Sequence, residues 1–230
     1  MKRLTLASLL LCLLIGFLLG GLIPMPWDED PPQPQELAAA ALLKPTVSAS
    51  SQSDSTPEPL DTKDNFALLT AACSVSRALK VQDYTALSAL IHPQKGLTFT
   101  PYSTVDPERD QTFTPEQIKH LKTDSTVYAW GFEDGRGNLI EMTISQYLAR
   151  YVWDADYTQA PQIGIDRILL SGNALENLTQ AYPGCRFVDF SYPSADPVND
   201  GLDWSSLKLV FYPSDTQWYL VGIIHGEWTV

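Results

Sequence analysis

The sequence is poor in positive charge. It has 15 lysine and arginine residues against 27 aspartate and glutamate residues, which gives a net charge of −12 at pH 7. A protein that binds the nucleic-acid backbone needs clustered cations to neutralise phosphates. The charge balance therefore excludes that class of protein, and we expect no nucleic-acid partner.

Cysteine and histidine are also scarce, with three residues of each. Three cysteines are too few for a disulfide framework or a four-cysteine zinc site. Residues 196–203 cluster acidic and amide side chains around a glycine, but their spacing does not match the twelve-residue calcium loop. The sequence therefore predicts neither a metal site nor a cofactor. It also has no Gly-x-Ser-x-Gly motif and no internal repeat.

A long uncharged run opens the chain. Leu4 to Met25 is 22 residues without a charge, preceded by Lys2 and Arg3. As a helix it would be about 33 Å long, enough to cross a bilayer. We therefore predict a membrane anchor in residues 1–27, with its N-terminus cytoplasmic and the remaining chain outside the cell membrane. Cleavage as a signal sequence, which would give a secreted protein, is the alternative.

Residues 28–62 have the composition of a disordered linker. They contain six prolines, five serines and seven acidic residues, and no aromatic residue. Such a segment buries too little apolar surface to fold. Residues 63–230 hold 22 of the 24 aromatic residues and carry 12 basic and 20 acidic residues. They are predicted to form one extracytoplasmic domain.

Helices are predicted first in this domain and strands later. Apolar residues recur at helical spacing from Phe66 to Leu79, and Asp83 is the expected N-cap of a second helix. Thr114 and Gln117 form a capping-box pattern. Short helices are also expected over 145–153, where Ser145 is the predicted cap, and over 173–182. The expected strands are 97–100, 126–133, 139–144, 163–170, 186–192, 207–212 and 217–230.

The last run has large apolar residues on both faces. Strict alternation places Leu220 and Ile224 on one face and Val221, Ile223 and His225 on the other. A strand buried on both faces lies inside a sheet, so this run is predicted to be central. The order of elements predicts an α+β fold, with N-terminal helices packed on a curved, mainly antiparallel sheet.

Three short segments resemble a known fold family. Residues 79–87 and 91–99 look like the opening helix pair and first strand of NTF2-like (SnoaL-like) cone folds, and Trp218 to Ile223 is similar to their closing strand. The closing run also resembles uncharacterised extracytoplasmic, membrane-anchored bacterial proteins. Cone folds serve as enzymes, ligand binders and dimerisation modules, so the resemblance implies the fold and leaves the function open.

The resemblance implies where a catalytic group would lie. Related cone enzymes use an aspartate or histidine in an apolar pocket as general base. His225, Asp189 and Asp156 are the candidates here. The alternative is that His225 is a hydrogen-bonded core histidine and Asp189 a structural partner in the sheet. No nucleophile is visibly paired with a base, so we predict no catalytic residue.

Aromatic density is the main indication of a binding site. Tyr128, Trp130 and Phe132 alternate along one predicted strand, and Tyr151 and Trp153 follow in a short helix. These residues could line a pocket for a small apolar or sugar-like ligand. The alternative is a large aromatic core.

Cys73 and Cys185 could form a disulfide if the domain lies in an oxidising compartment. Two separate free thiols are the alternative.

The sequence thus favours a tethered, non-catalytic module that binds a small ligand or a protein. An enzyme with a cone-shaped pocket is one alternative. A structural dimerisation module is another, and it would require a large exposed apolar sheet face.

Overall fold

The computed structural model describes residues 62–215 and 217–229, so the predicted anchor and nearly all of the predicted linker lie outside the described residues. Its helices are α1 (Thr62–Lys80), α2 (Tyr84–Leu90), α3 (Pro115–Lys119), α4 (Ile144–Tyr147) and α5 (Leu178–Ala181). Its strands are β1 (Leu97–Thr100), β2 (Gln111–Phe113), β3 (Val127–Phe132), β4 (Leu139–Thr143), β5 (Gln162–Ile165), β6 (Arg186–Tyr192), β7 (Ser205–Pro213) and β8 (Trp218–Glu227). None of these helices combines the length and apolar character needed to cross a bilayer.

The first two helices form as their sequences predict. Leu68, Ala72 and Val75 are completely buried along α1. The side chain of Asp83 accepts a hydrogen bond from the Ala86 N–H at 2.9 Å, which caps α2. The predicted apolar stripe is wrong at Phe66, which is 74% exposed because it lies in the first turns of α1, on the side away from Leu68.

Six strands form one sheet in the order β2-β1-β8-β7-β6-β5, and β3 pairs with β4 in a separate hairpin. Neighbouring strands are antiparallel except β1 and β8, which are parallel. The described part of the chain is therefore an α+β fold with a mainly antiparallel sheet. The C-terminal strand β8 lies between β1 and β7, so its predicted central position is confirmed.

A bulge in β8 changes which residues share a face. Val210 pairs with Gly222 but Phe211 pairs with Leu220, so Val221 is an extra residue in β8. As a result Leu220 and Ile223 both pack into the larger core, while Val221 joins the core on the other face. The prediction from strict alternation is wrong here, because one inserted residue moves every later side chain of β8 to the opposite face of the sheet.

Each face of the sheet supports its own core. On one face, α1 and α2 and the β3–β4 hairpin pack against buried residues of β1, β6, β7 and β8. On the other face, Val105 and Leu178 cover Phe187, Val210 and Ile224. Both faces of the central strands are therefore covered, and these strands present no large apolar face to solvent.

Three predicted elements differ from the structure. The strand predicted over 163–170 ends at Ile165, because Asp166 turns the backbone at φ 51° and accepts hydrogen bonds from β6. The helix predicted over 173–182 covers only Leu178–Ala181, since the Asn177 side chain bonds Val105 instead of capping a longer helix. Thr143, not Ser145, caps the helix after the hairpin, which widens into a π-helical turn at Leu148–Val152.

Gly96 needs to be a glycine for two reasons, its backbone conformation and its close approach to β2. Its φ is +72°, and an added Cβ would lie 2.6 Å from the carbonyl oxygen of Phe113. Gly137 provides a matched control, because its φ is +69° and nothing lies within 4 Å of an added Cβ. We expect Gly137→Ala to cost about 1–2 kcal/mol, the price of the left-handed backbone alone. Gly96→Ala should cost clearly more in urea unfolding, and equal losses would contradict the predicted clash.

Candidate functional site

Aromatic rings fill the space between the helices and the larger core face of the sheet. Trp130 stacks on Tyr147 with ring centroids 3.8 Å apart, and both side chains are completely buried. The rings of Phe99 and Phe113 pack against Trp130 at 6.3 and 5.9 Å. Tyr151 extends the cluster beyond Tyr147 at 5.1 Å. The space between the helices and the sheet is therefore packed with side chains.

The five predicted ligand-binding residues do not converge on one pocket. Trp130 and Tyr151 are core residues, and Tyr128 packs edge-on against Phe113 at 5.2 Å. Trp153 is half-buried beside Tyr157. Only Trp130 and Phe132 reach the cleft described below. A bulge between Ala129 and Phe132 separates the faces of Trp130 and Phe132, which strict alternation had placed together.

His225 belongs to a buried hydrogen-bond network. Its side chain is completely buried, with Nδ1 3.3 Å from the Pro101 carbonyl oxygen and Nε2 3.4 Å from Oδ2 of Asp154. The carbonyl and the carboxylate both only accept, so each contact is a hydrogen bond when the ring nitrogen that faces it carries a proton. Burial acts to raise the pKa of Asp154, but hydrogen bonds from His225 and Tyr157 outweigh it, and that pKa lies below its ordinary value. The sequence had not paired Asp154 with His225.

Asp189 and Asp156 lie elsewhere. Asp189 is completely buried and accepts hydrogen bonds from the Leu169 N–H and the Ser191 hydroxyl, each at 2.9 Å. Burial raises its pKa, while the charge of Lys208, its neighbour across β6 and β7, opposes that rise. Asp156 is a surface residue that pairs with Lys80 at 2.8 Å. The three predicted base candidates thus occupy separate places and form no common site.

Both domain cysteines are free thiols in the structure. Cys73 lies on α1, whereas Cys185 packs into the smaller core on the opposite face of the sheet. The Cys73–Cys185 disulfide, which the sequence left open beside two free thiols, is therefore not formed, because the sheet separates the two side chains. Within residues 62–215 and 217–229, no group of three or more histidine, cysteine or acidic side chains is close enough to hold a metal ion.

A cleft of about 400 Å³ lies between the loop after β1, the end of β3 and the segment before α5, and we call it the acidic cleft. Four carboxylates and one guanidinium line it, together with aromatic and amide side chains: Asp106, Asp110, Glu133, Asp134, Arg109, Tyr102, Trp130, Phe132 and Asn173. Its volume lies within the range of small-molecule sites.

Asp110 is the most perturbed carboxyl group of the acidic cleft. It lies directly before β2 and accepts hydrogen bonds from the Thr100 hydroxyl at 2.6 Å and the Asp106 N–H at 3.0 Å. Burial raises its pKa to about 6, although both hydrogen bonds act to lower it. The sequence did not single out Asp110, because it lies in a turn-rich segment and its burial depends on distant loops.

Two further observations mark this region. The Tyr147 hydroxyl is buried and has no hydrogen-bond partner in the described part of the chain. Burial, together with the charges of Asp110 and neighbouring tyrosines, raises the pKa of Tyr147 well above its ordinary value. Phe132 and Leu175 at the rim are 46% and 68% exposed, high values for large apolar side chains. The Arg109 guanidinium lies 5.1 Å from the centre of the Phe132 ring. A half-buried carboxyl with a raised pKa, in a cleft with an apolar rim, is typical of a ligand site.

Comparisons with known proteins find weak similarity to solved structures. A proposed dehydratase from the NTF2-like family of Streptomyces avermitilis has 9% identity, a TM-score of 0.36, and coverage of 74% of this chain and 99% of its own. An NTF2-like protein of unknown function from Shewanella oneidensis has 7% identity and a TM-score of 0.33, with 71% of this chain and 99% of its own covered. No family model and no curated protein sequence matches the chain.

A third solved structure is a proposed calcium/calmodulin-dependent protein kinase II association domain from Xanthomonas campestris. It has 12% identity and a TM-score of 0.29, covering 71% of this chain and 85% of its own. The chain is thus weakly similar to NTF2-like proteins, as its sequence predicted. Similarity at this level says nothing about activity, so the functional argument depends on the cleft itself.

Replacing Asp110 with asparagine should stabilise the protein at neutral pH. A carboxyl whose folded-state pKa is raised from 3.8 to about 6 makes the native state less stable as pH rises through that interval. Asparagine keeps the acceptor oxygen without the charge. We expect Asp110→Asn to gain about 1–2 kcal/mol at pH 7, allowing for solvent screening, and little or nothing at pH 4.

Urea unfolding of both proteins at pH 4, 5.5 and 7 measures the difference. The matched control is Asp215→Asn, since Asp215 is an exposed surface residue. A stability gain that is the same at all three pH values would contradict the role assigned to the Asp110 charge.

Proposed function

We propose that this protein is a small-ligand-binding module and that its ligand occupies the acidic cleft. The observation that carries the proposal is the Asp110 carboxyl, held half-buried at the cleft without a cation to pair with it in the described part of the chain. Arg109, the cleft's basic residue, pairs with Asp106 instead, at 3.5 Å. A group that destabilises the fold at neutral pH is typical of a site kept for function.

The ligand is expected to be rich in hydrogen-bond donors and to carry positive charge. Four carboxylates line the cleft, and a ligand ammonium or hydroxyl group would donate to their oxygens. The partly exposed rings of Tyr102 and Phe132 supply flat apolar surface of the kind on which sugar rings and organic cations pack. An amino sugar combines both properties.

The packed interior argues against the cone-pocket enzyme. His225 is completely buried and the Tyr151 ring packs edge-on against it at 5.7 Å, so a substrate would have to displace core side chains to reach it. The covered strands argue against the dimerisation module in a similar way, because Leu220, Val221, Ile223 and Ile224 are at most 4% exposed. A non-catalytic site at the periphery is the function that agrees best with both observations.

Binding of glucosamine, glucose and glucuronate by calorimetry tests the proposal. Glucosamine carries an ammonium group and should bind most tightly, while glucuronate should bind least because like charges repel. Since the pKa of Asp110 is about 6, its ionised fraction rises about tenfold between pH 5 and pH 7, and glucosamine affinity should rise with it by up to that factor.

Asp110→Asn should abolish this pH dependence, and Asp215→Asn should preserve it. Equal affinity for the three sugars, or no binding of any of them at millimolar concentration, would overturn the assignment of the acidic cleft.

We propose in addition that residues 4–25 anchor the module in the cell membrane and that residues 28–62 hold it away from the bilayer on the extracytoplasmic side. The uncharged run and the preceding Lys2 and Arg3 support this arrangement. Full-length protein should remain in the membrane pellet after alkaline carbonate extraction. Protease added outside intact cells should remove the domain. Full-length protein in the soluble fraction would contradict the anchor.

A further inference from the structure

A second cavity lies beneath α1, away from the acidic cleft, and we call it the α1 groove. It has a volume of about 470 Å³. Cys73, Ser76 and Arg77 line it from α1. Tyr157, Ile163 and Phe190 line the side that faces α1. It shares no lining residue with the acidic cleft.

The floor of the α1 groove is apolar. Tyr157 and Phe190 line the floor and are themselves only 1% and 2% exposed. Ile163 on β5, an edge strand of the sheet, is 47% exposed and supplies most of the apolar surface that these three residues leave in contact with water. An occupant with an alkyl chain would remove the exposed surface of Ile163 from water.

Ser76 lines the α1 groove and carries an unused polar group. The residue is 1% exposed, and its buried hydroxyl has no hydrogen-bond partner among the residues that the structure describes. Two hydroxyls on the same helix behave differently, since Thr70 donates to the Phe66 carbonyl at 2.7 Å and Ser74 to the Thr70 carbonyl at 2.9 Å. A buried hydroxyl without a partner is unfavourable, so a ligand acceptor at this point would be stabilising.

Positive charge lies at the rim of the α1 groove. Arg77 donates through Nε to the Cys73 carbonyl at 3.1 Å, and it makes no ion pair with the residues that the structure describes. Lys80, also at the rim, pairs with Asp156. The acidic cleft has the opposite balance, with four carboxylates and one guanidinium. The two cavities should therefore select ligands of opposite charge.

We propose that the α1 groove binds an amphipathic carboxylate with an unbranched alkyl chain. The chain lies over Tyr157, Phe190 and Ile163. The carboxylate lies at the Ser76 end, where it accepts a hydrogen bond from the serine hydroxyl and pairs with Arg77. This site is independent of the function proposed for the acidic cleft.

Decanoate is a suitable probe, with decanol and acetate as controls that lack the charge and the chain. The test uses the full chain and measures alkylation of each cysteine by iodoacetamide with peptide mass spectrometry. Cys73 lines the groove and Cys185 lies on the opposite face of the sheet, so Cys185 is an internal control. Because the N-terminal apolar run could itself take up an amphiphile, this site-resolved measurement is needed.

Saturating decanoate should slow alkylation of Cys73 at least threefold and leave Cys185 unchanged, while decanol protects less and acetate not at all. Unchanged alkylation of Cys73, or equal protection by decanol, would overturn the proposal. Calorimetry with decanoate is the second measurement.

Variants separate the two parts of the ligand. Arg77→Gln should weaken decanoate binding about three- to fivefold, the effect of a partly exposed ion pair, and leave decanol binding unchanged. Arg136→Gln, in the exposed turn between β3 and β4, is the matched control and should have no effect. Ile163→Gln should weaken both ligands and remain folded, because Ile163 is half-exposed. Equal affinities in all three variants would refute the site.

Discussion

The contact between Trp130 and Tyr147 controls much of this architecture. The two rings are stacked and buried, and the indole Nε1 donates to the Met142 carbonyl at 2.9 Å. This contact joins the β3–β4 hairpin to α4 and to the rings of β1 and β2. It also fills the space between the hairpin and the sheet with stacked rings.

Two carboxyl groups near the acidic cleft, those of Glu176 and Asp110, differ in whether they have a cationic partner. Lys208 is completely buried and pairs with Glu176 at 3.2 Å, which holds the segment before α5 against the sheet. Removing one member of such a pair leaves an uncompensated buried charge, so it is a structural constraint on the wall of the acidic cleft. Asp110, in contrast, is half-buried and makes no ion pair with the residues that the structure describes. The Glu176 carboxylate is therefore paired within the fold, whereas the Asp110 carboxyl is not.

The two proposed sites differ because different elements supply their polar groups. Loops after β1 and β3 bring carboxylates to the acidic cleft, and α1 brings Ser76 and Arg77 to its groove. A module with both sites could hold a cationic and an anionic ligand at once. The weak similarity to solved structures says nothing about these two sites, which are inferred from this chain's own side chains.

Local sequence signals determined a large part of the fold. Asp83 and Thr114 cap their helices as predicted, since a cap depends on residues three positions away. β1 was predicted with its observed bounds, and β8 was predicted to be central because both of its faces are apolar. Strands with strong alternation, such as β6 and β7, were also found at the predicted places.

Only the tertiary structure decided which residues of β8 share a face of the sheet and which residues form the candidate binding sites. The Val221 bulge depends on the register with β7, which reversed the expected parity of β8. Cys73 and Cys185 are separated by the sheet, a relation that their spacing in the chain does not contain. Asp110 and Ser76 look like ordinary polar residues in sequence. Burial makes them candidates, and burial is set by segments far away in the chain that only the folded structure brings together.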